Sequence, residues 1–269
     1  MPRLINSLQN PLIKNLVALK EKPRERKKQG LFVAEGLREV SLAFKMGYEV
    51  EALLYDESVT SPEALDLVFQ EALADPRELI ATSSPVMEKI AYRAGVPNVV
   101  ALVRRWDRRL SELKLSRTPL ILVLETVEKP GNLGAMLRTA DAAGADAVIV
   151  CDPLVDEYNP NVIRSSLGAV FSVPIVTTDA QPALEWLRRQ GIRILATYLG
   201  AKEAYFQCDL RGPIAFVMGS EAHGISDFWT REAHQKIIIP MHGLVDSLNV
   251  SASAAIVLFE TLRQRAEKK

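Results

Sequence analysis

Cysteine is almost missing from this chain: two among 269 residues, Cys151 and Cys208, with no C-x-x-C pair. That scarcity excludes a disulfide framework and a cysteine-based zinc site, and it suits a reducing cytoplasm. No apolar run is long enough to span a bilayer, and the first residues lack the pattern of a secretory signal, so no membrane association is expected. Neither sign of charge prevails: 33 basic residues balance 33 acidic ones, and net charge names no partner. Two nucleotide-binding fingerprints are also missing. Neither G-x-G-x-x-G nor G-x-x-x-x-G-K-[ST] occurs, which disfavours a dinucleotide-dependent oxidoreductase and a P-loop enzyme. The three histidines, His223, His234 and His242, have no recognisable metal spacing, and no metal is expected.

What is present is patterning. The first hundred residues alternate strand-like and helix-like segments, with "LFVAEGLREVSLAF", a strand at Val50–Tyr55, "ELIATSS" and "NVVALVRR". They predict a small α/β domain over residues 1–105, followed by a polar, basic linker over 106–118. From residue 119 to 269 the pattern changes to short apolar runs, "LILVLE", "AVIVCD", "VPIV", "RILATYL", "IAFVMGS" and "KIIIPM". Strands apolar on both faces and separated by helical patterns predict a parallel sheet covered on both sides. Helices are expected at Leu133–Ala143, Pro160–Ala169, Pro182–Gln190 and Val250–Glu267.

Charge is clustered although it is balanced. "KNLVALKEKPRERKK" carries seven basic residues, Lys14, Lys20, Lys22, Arg24, Arg26, Lys27 and Lys28, against Glu21 and Glu25. Such a run is either a solvated helix face or a phosphate-contacting patch, and charge alone favours the solvated face.

Three loops follow predicted strands, the place where open α/β sheets bind ligands. "ETVEKPGNLGAMLRTA" has a G-x-x-G turn and then Arg138 on a helix otherwise small and apolar; an arginine there is costly to bury unless paired, so a cleft or an anion is expected. "FVMGSEAHGIS" puts Gly219 directly after a strand, where backbone can approach a ligand, with Glu221 in the turn. "IIIPMHGLVDSLNVSASAA" ends a strand at Pro240, offers Ser247 and Asn249 as natural helix caps, and then packs small residues densely.

Together these three segments resemble, in order and spacing, the signature motifs of the SpoU (TrmH) family, within the SPOUT superfamily of RNA methyltransferases. The resemblance covers about residues 119–265, and "FVAEGLREVSLAF" is similar to the ribosomal-protein-like substrate-binding domain that many members carry. It implies an α/β fold: a C-terminal parallel-sheet domain with a trefoil knot and a smaller N-terminal domain. The implied reaction moves a methyl group from S-adenosylmethionine to a ribose 2′-hydroxyl in structured RNA, ribosomal RNA before transfer RNA. A catalytically silent RNA-binding protein on the same fold is the alternative. The cofactor would rest on Thr197, Leu199, Gly219, Ile239, Met241 and Leu248. Arg138 would contact the target phosphate and hydroxyl, Asn132 would hold the ribose or the arginine, and Glu221 would orient Arg138. Ser247 and Asn249 would complete the wall. Because an arginine keeps its proton far above neutral pH, Arg138 suits an electrostatic clamp better than a base. Lys20, Lys22, Arg24, Arg26, Lys27, Lys28 and Arg164 would contact RNA, and the chain would pair as a homodimer through its C-terminal domain. Glu125 departs from the family pattern, which often has an aspartate there.

Overall fold

A computed structural model describes residues 3–70, 72, 74–220 and 222–267, and every count below concerns those residues. By contacts the chain divides into two compact units, residues 1–106 with 156–172, and residues 107–155 with 173–269.

The first unit is built on a mixed five-stranded sheet of β1 (Arg3–Ile5), β2 (Leu31–Glu35), β3 (Val50–Tyr55), β4 (Glu78–Thr82) and β5 (Val99–Arg104), in the order β1-β4-β3-β5-β2. β1, β4 and β3 run parallel, whereas β5 lies antiparallel between β3 and β2. Helix α1 (Pro11–Glu21) starts where the Asn10 side chain accepts from the Leu12 backbone N–H at 2.9 Å, with Pro11 in the first turn. Its buried residues Ile13, Leu16 and Leu19 recur at helical spacing and pack with Val33, Leu54, Ile80 and Val86. Helices α2 (Pro23–Gln29), α3 (Leu37–Lys45), α4 (Pro62–Phe69) and α5 (Ser84–Ile90) complete the element order of this region.

The second unit holds seven strands: β6 (Leu120–Glu125), β7 (Ala147–Cys151), β8 (Ile175–Thr178), β9 (Arg193–Thr197), β10 (Glu203–Ala204), β11 (Ile214–Met218) and β12 (Gln235–Ile238). Their order is β10-β12-β9-β11-β6-β7-β8, and every pairing is parallel, as the apolar runs predict. β6, β7 and β11 are buried along their whole length. Helix α6 (Pro130–Ala142) is closed by Gly144 at φ +62°, a conformation that favours glycine.

Residues 156–172, placed between β7 and β8, depart from the sequence expectation, which kept all of 119–269 in one domain. They cluster with the first unit because Tyr158 stacks on Phe32 at 4.3 Å between ring centres and Phe171 packs beside it at 5.9 Å. The single helix expected at Pro160–Ala169 is two, α7 (Pro160–Ser165) and α8 (Ala169–Ser172). Leu167 and Gly168 break it at φ +53° and +84°, and a side chain at Gly168 would lie 2.7 Å from Leu42.

Helices α9 (Ala180–Arg189) and α10 (Asp227–Glu232) supply Leu184, Leu187 and Trp229 to the core over Ile121, Ile149, Ile194 and Val217. Helix α11 (Val250–Ala266) packs along α6 and buries Ala254, Val257, Leu258 and Thr261. Its small residues are only partly a packing device: Ala252 is exposed, and Ser251 and Ser253 hydrogen-bond back to Asn249. No helix among the described residues is long and apolar enough to cross a membrane.

Candidate active site

The carboxyl ends of β12, β9, β11 and β6 lie side by side in the second unit. The chain leaves β6 toward β7 on one side, and β11 and β9 lie on the other, which is the switch point where such sheets bind ligands. A cleft of about 590 Å³ opens there, within the usual size of a small-molecule site.

Each wall has a local cause. Thr197 ends β9 and donates its hydroxyl to the Val217 carbonyl at 3.0 Å, tying two strand ends together. The next residue, Tyr198, donates its backbone N–H to the Ile237 carbonyl at 2.9 Å, and a turn closed by the Ala201 N–H on the Tyr198 carbonyl at 3.0 Å then carries the chain past Leu199. Gly219 follows β11, and a Cβ there would lie 2.1–2.2 Å from the backbone of Gly224 and Ile225, so no side chain fits. Beyond it Ser220 and Gly224 exchange backbone hydrogen bonds of 2.9 and 3.0 Å, and His223 N–H donates to the Ser220 hydroxyl at 3.0 Å.

All six residues expected around the cofactor, Thr197, Leu199, Gly219, Ile239, Met241 and Leu248, line this one cleft. Asn132, Ser247 and Asn249 line it too. The Asn249 side-chain amide donates to Asn132 Oδ1 at 3.2 Å, so the first and third motifs meet across 117 positions of sequence. Arg138 is not part of the lining. It is exposed on α6, six residues after Asn132 and therefore about 120° around the helix, with no hydrogen-bond partner among the described residues. Glu221 lies outside the described residues.

Sequence reasoning gave no role to two residues. Lys129 is the one lysine or arginine lining the cleft among the described residues, placed just before α6. Its signal was position, next to Pro130 at a strand–helix loop. Glu125, at the end of β6, is buried and accepts from the Ser226 backbone N–H at 2.8 Å and its hydroxyl at 2.6 Å. Nothing local in sequence joins residues 101 positions apart.

The basic run of the first unit needs correction. Arg26 is 1% exposed: its Nε donates to Asp156 at 2.5 Å and an Nη donates to the Leu19 carbonyl at 2.7 Å, at the end of α1. It cannot meet a phosphate. Lys20 is half-buried and donates to the carbonyls of Lys89 and Ala91 at 3.1 and 2.8 Å; burial pulls its ammonium pKa below the usual lysine value. Lys22, Arg24, Lys27, Lys28 and, on α7, Arg164 are exposed.

Comparison with known proteins adds to this geometry. Residues 119–259 match the SpoU rRNA Methylase family, and residues 10–101 match an MRM3-like substrate binding domain. A 23S rRNA (guanosine-2′-O-)-methyltransferase, RlmB of Pseudomonas putida, is 40% identical over 65% of this chain and 72% of its own length. The 23S rRNA (guanosine(2553)-2′-O)-methyltransferase RlmP of Bacillus subtilis is 28% identical over 95% of this chain and 97% of its own. Among solved structures, the SpoU methyltransferase AviRb from Streptomyces viridochromogenes, in complex with AdoMet, aligns with a TM-score of 0.89 at 29% identity, covering 97% of this chain and 100% of that one.

Proposed function

The chain belongs to the SpoU rRNA methylase family, and from that membership we propose that it methylates a ribose 2′-hydroxyl of ribosomal RNA, using S-adenosylmethionine, in the cytoplasm. The observation that carries the reading is the cleft at the sheet's switch point. It gathers three separated motifs around one space of ligand size, the first and third joined by the Asn249–Asn132 hydrogen bond.

The cleft fits the donor. At Gly219 the returning backbone of Gly224 and Ile225 leaves no room for a side chain, so main-chain groups form the wall there. Thr197, Leu199, Gly219, Ile239, Met241 and Leu248 would hold the cofactor through main-chain groups and apolar contact. When bound, S-adenosylmethionine supplies a methyl group on a sulfonium whose charge vanishes as the methyl leaves.

The protein's own residues must align the acceptor oxygen, exclude water and let the hydroxyl proton depart. Alignment alone is worth up to about 7–11 kcal/mol in favourable cases. Asn132 and Asn249 offer paired amides at the cleft wall, with Ser247 beside them, to fix the ribose. Arg138, outside the donor cleft, suits a clamp on the acceptor phosphate and the developing oxyanion, with the phosphate or a water taking the proton. Glu221 would orient that arginine. RNA would be gathered by the first unit through Lys22, Arg24, Lys27, Lys28 and Arg164.

The reading extends to assembly. Leu244, Val245 and Phe259 of the second unit expose apolar side chains, which supports a homodimer through this unit. Ribose methylation mapped across total RNA, in cells with and without this protein, tests the function. Loss of one ribosomal site is expected. A lost transfer-RNA site would move the target class, and an unchanged map with no methyl incorporation in vitro would leave only RNA binding.

A further inference from the structure

We propose that Glu125 is a positioning residue for the donor cleft, acting through Ser226 on the glycine turn after β11; the inference rests on the methyl-transfer reading above. Glu125 is the last residue of β6 and is 6% exposed. One carboxylate oxygen accepts the Ser226 backbone N–H at 2.8 Å and the other accepts its hydroxyl at 2.6 Å. The same hydroxyl accepts from Trp229 N–H at 3.5 Å, so Ser226 is also the cap of α10.

The turn between Gly219 and Ser226 is thus held at both ends. Its entry is fixed by β11, which pairs with β9 and β6. Its exit is fixed by Glu125, at the neighbouring strand end. Inside it, Ser220 and Gly224 are bridged, and Gly219 is pressed against the returning backbone. Gly219, Ser220 and residues 222–225 line the cleft, so any slackening at Ser226 is felt at the wall.

A purely structural role explains this arrangement poorly. Serine alone caps α10, and a buried carboxylate is costly unless fully hydrogen-bonded. An apolar residue would serve the sheet end better. What only a carboxylate does here is accept two donors of one residue at once, fixing where the turn ends and in which orientation. Charge-assisted bonds of this kind are about twice as strong as neutral ones.

The test uses the full-length protein and S-adenosylmethionine. Glu125→Gln keeps the size of the side chain but turns one acceptor into a donor. Its dissociation constant for the cofactor is expected to rise roughly ten- to hundred-fold, the range for a lost hydrogen bond to a charged group. Turnover at saturating cofactor should change far less. In the ligand-free protein, amide exchange of residues 222–226 should accelerate while the amides of β6 and β11 keep their protection. Glu125→Asp, one methylene shorter but still a double acceptor, should recover part of the affinity. Ser226→Ala, which removes one of the two donors and leaves Glu125 intact, should weaken cofactor binding non-additively with Glu125→Gln. Lower thermal stability with unchanged affinity and unchanged exchange at 222–226 would overturn the proposal. Wild-type protein that binds no cofactor would instead defeat the methyl-transfer reading, and the exchange experiment would still decide the role of Glu125.

Discussion

Asn249 serves two masters: its Oδ1 accepts the Ser251 backbone N–H at 2.9 Å, capping α11, while its Nδ2 donates to Asn132 Oδ1 at 3.2 Å. The cap alone is a structural role that many residues could fill. The second bond needs an amide donor and joins α11 to the start of α6 at the cleft wall. The two roles separate by substitution. Asn249→Ala should cost about 1 kcal/mol through the lost cap, read in urea denaturation. Asn249→Asp keeps the cap but loses the donor, so stability should hold while methyl incorporation falls. Equal activity in Asn249→Asp and wild type would show that the contact with Asn132 is only incidental.

Arg138 stands apart from the donor cleft, exposed and about 120° around α6 from Asn132. Arg138→Ala should therefore abolish methyl transfer and leave the calorimetric affinity for S-adenosylmethionine nearly unchanged. Wild-type turnover at saturating RNA would remove the arginine from the mechanism.

The parallel sheet was legible because buried strands leave continuous apolar runs, and the cleft loops were legible because glycine, asparagine and proline punctuate them. Other features could not be read locally. The edge strands β1 and β10 have three and two residues, too short to show a period. Residues 156–172 look like any crossover helix in a parallel sheet; contacts distant in sequence, such as Tyr158 and Phe171 on Phe32 and Asp156 with Arg26, assign them to the first unit. Arg26 stands in a run of charges that reads as surface, and its partner Asp156 is 130 positions away. Likewise Glu125 shows its purpose only beside Ser226.

The two thiols give the fold an alkaline weakness. Burial, with Glu203 nearby, pushes the Cys208 thiol up to about 11, and burial raises Cys151 as well. A thiol that ionises less readily when folded stabilises the protein fully below the ordinary thiol value near 8.5. That contribution is lost as pH climbs from there through about 11, because the unfolded chain gives up its proton first. Urea midpoints should fall between pH 8 and pH 10, and less steeply in Cys208→Ala. An identical slope in the variant would assign the alkaline loss to other groups.

A homodimer through the second unit should bury at least the ~1,600 Å² of a standard interface. Leu244, within the third motif, is fully exposed in the single chain, and Val245 is 64% exposed. Replacing both with serine should shift the light-scattering mass toward the 29.8 kDa of one chain without changing the circular dichroism. A wild-type monomer at micromolar concentration would end the dimer proposal.

The exposed basic residues on and beside α2 are fewer than the run of charges in the sequence. Structured RNA is read largely through shape and phosphates, so the first unit should supply phosphate contacts that a small catalytic cleft cannot. Lys22, Arg24, Lys27 and Lys28 are exposed on and beside α2, and their charge is free to act. Arg26, in the same run, is committed to Asp156 and to the carbonyl end of α1. Glutamine at the four exposed positions should leave the fold intact and flatten the salt dependence of RNA binding, each lost contact removing roughly 0.7–0.9 from the log–log slope. Arg26→Gln should do the opposite. It removes the bonds to Asp156 and to the Leu19 carbonyl from a buried site and leaves Asp156 to Arg105 at 3.2 Å, a defect of about 1.5–3 kcal/mol, while the salt slope of the protein that still folds stays near wild type. The two classes of variant thus separate on two axes, stability and salt slope. If Arg26→Gln flattened the slope as strongly as the exposed set without loss of stability, the buried ion pair would not exist in solution. If the exposed set left the slope unchanged, α2 would be a solvated face after all, and RNA would be held elsewhere on the protein.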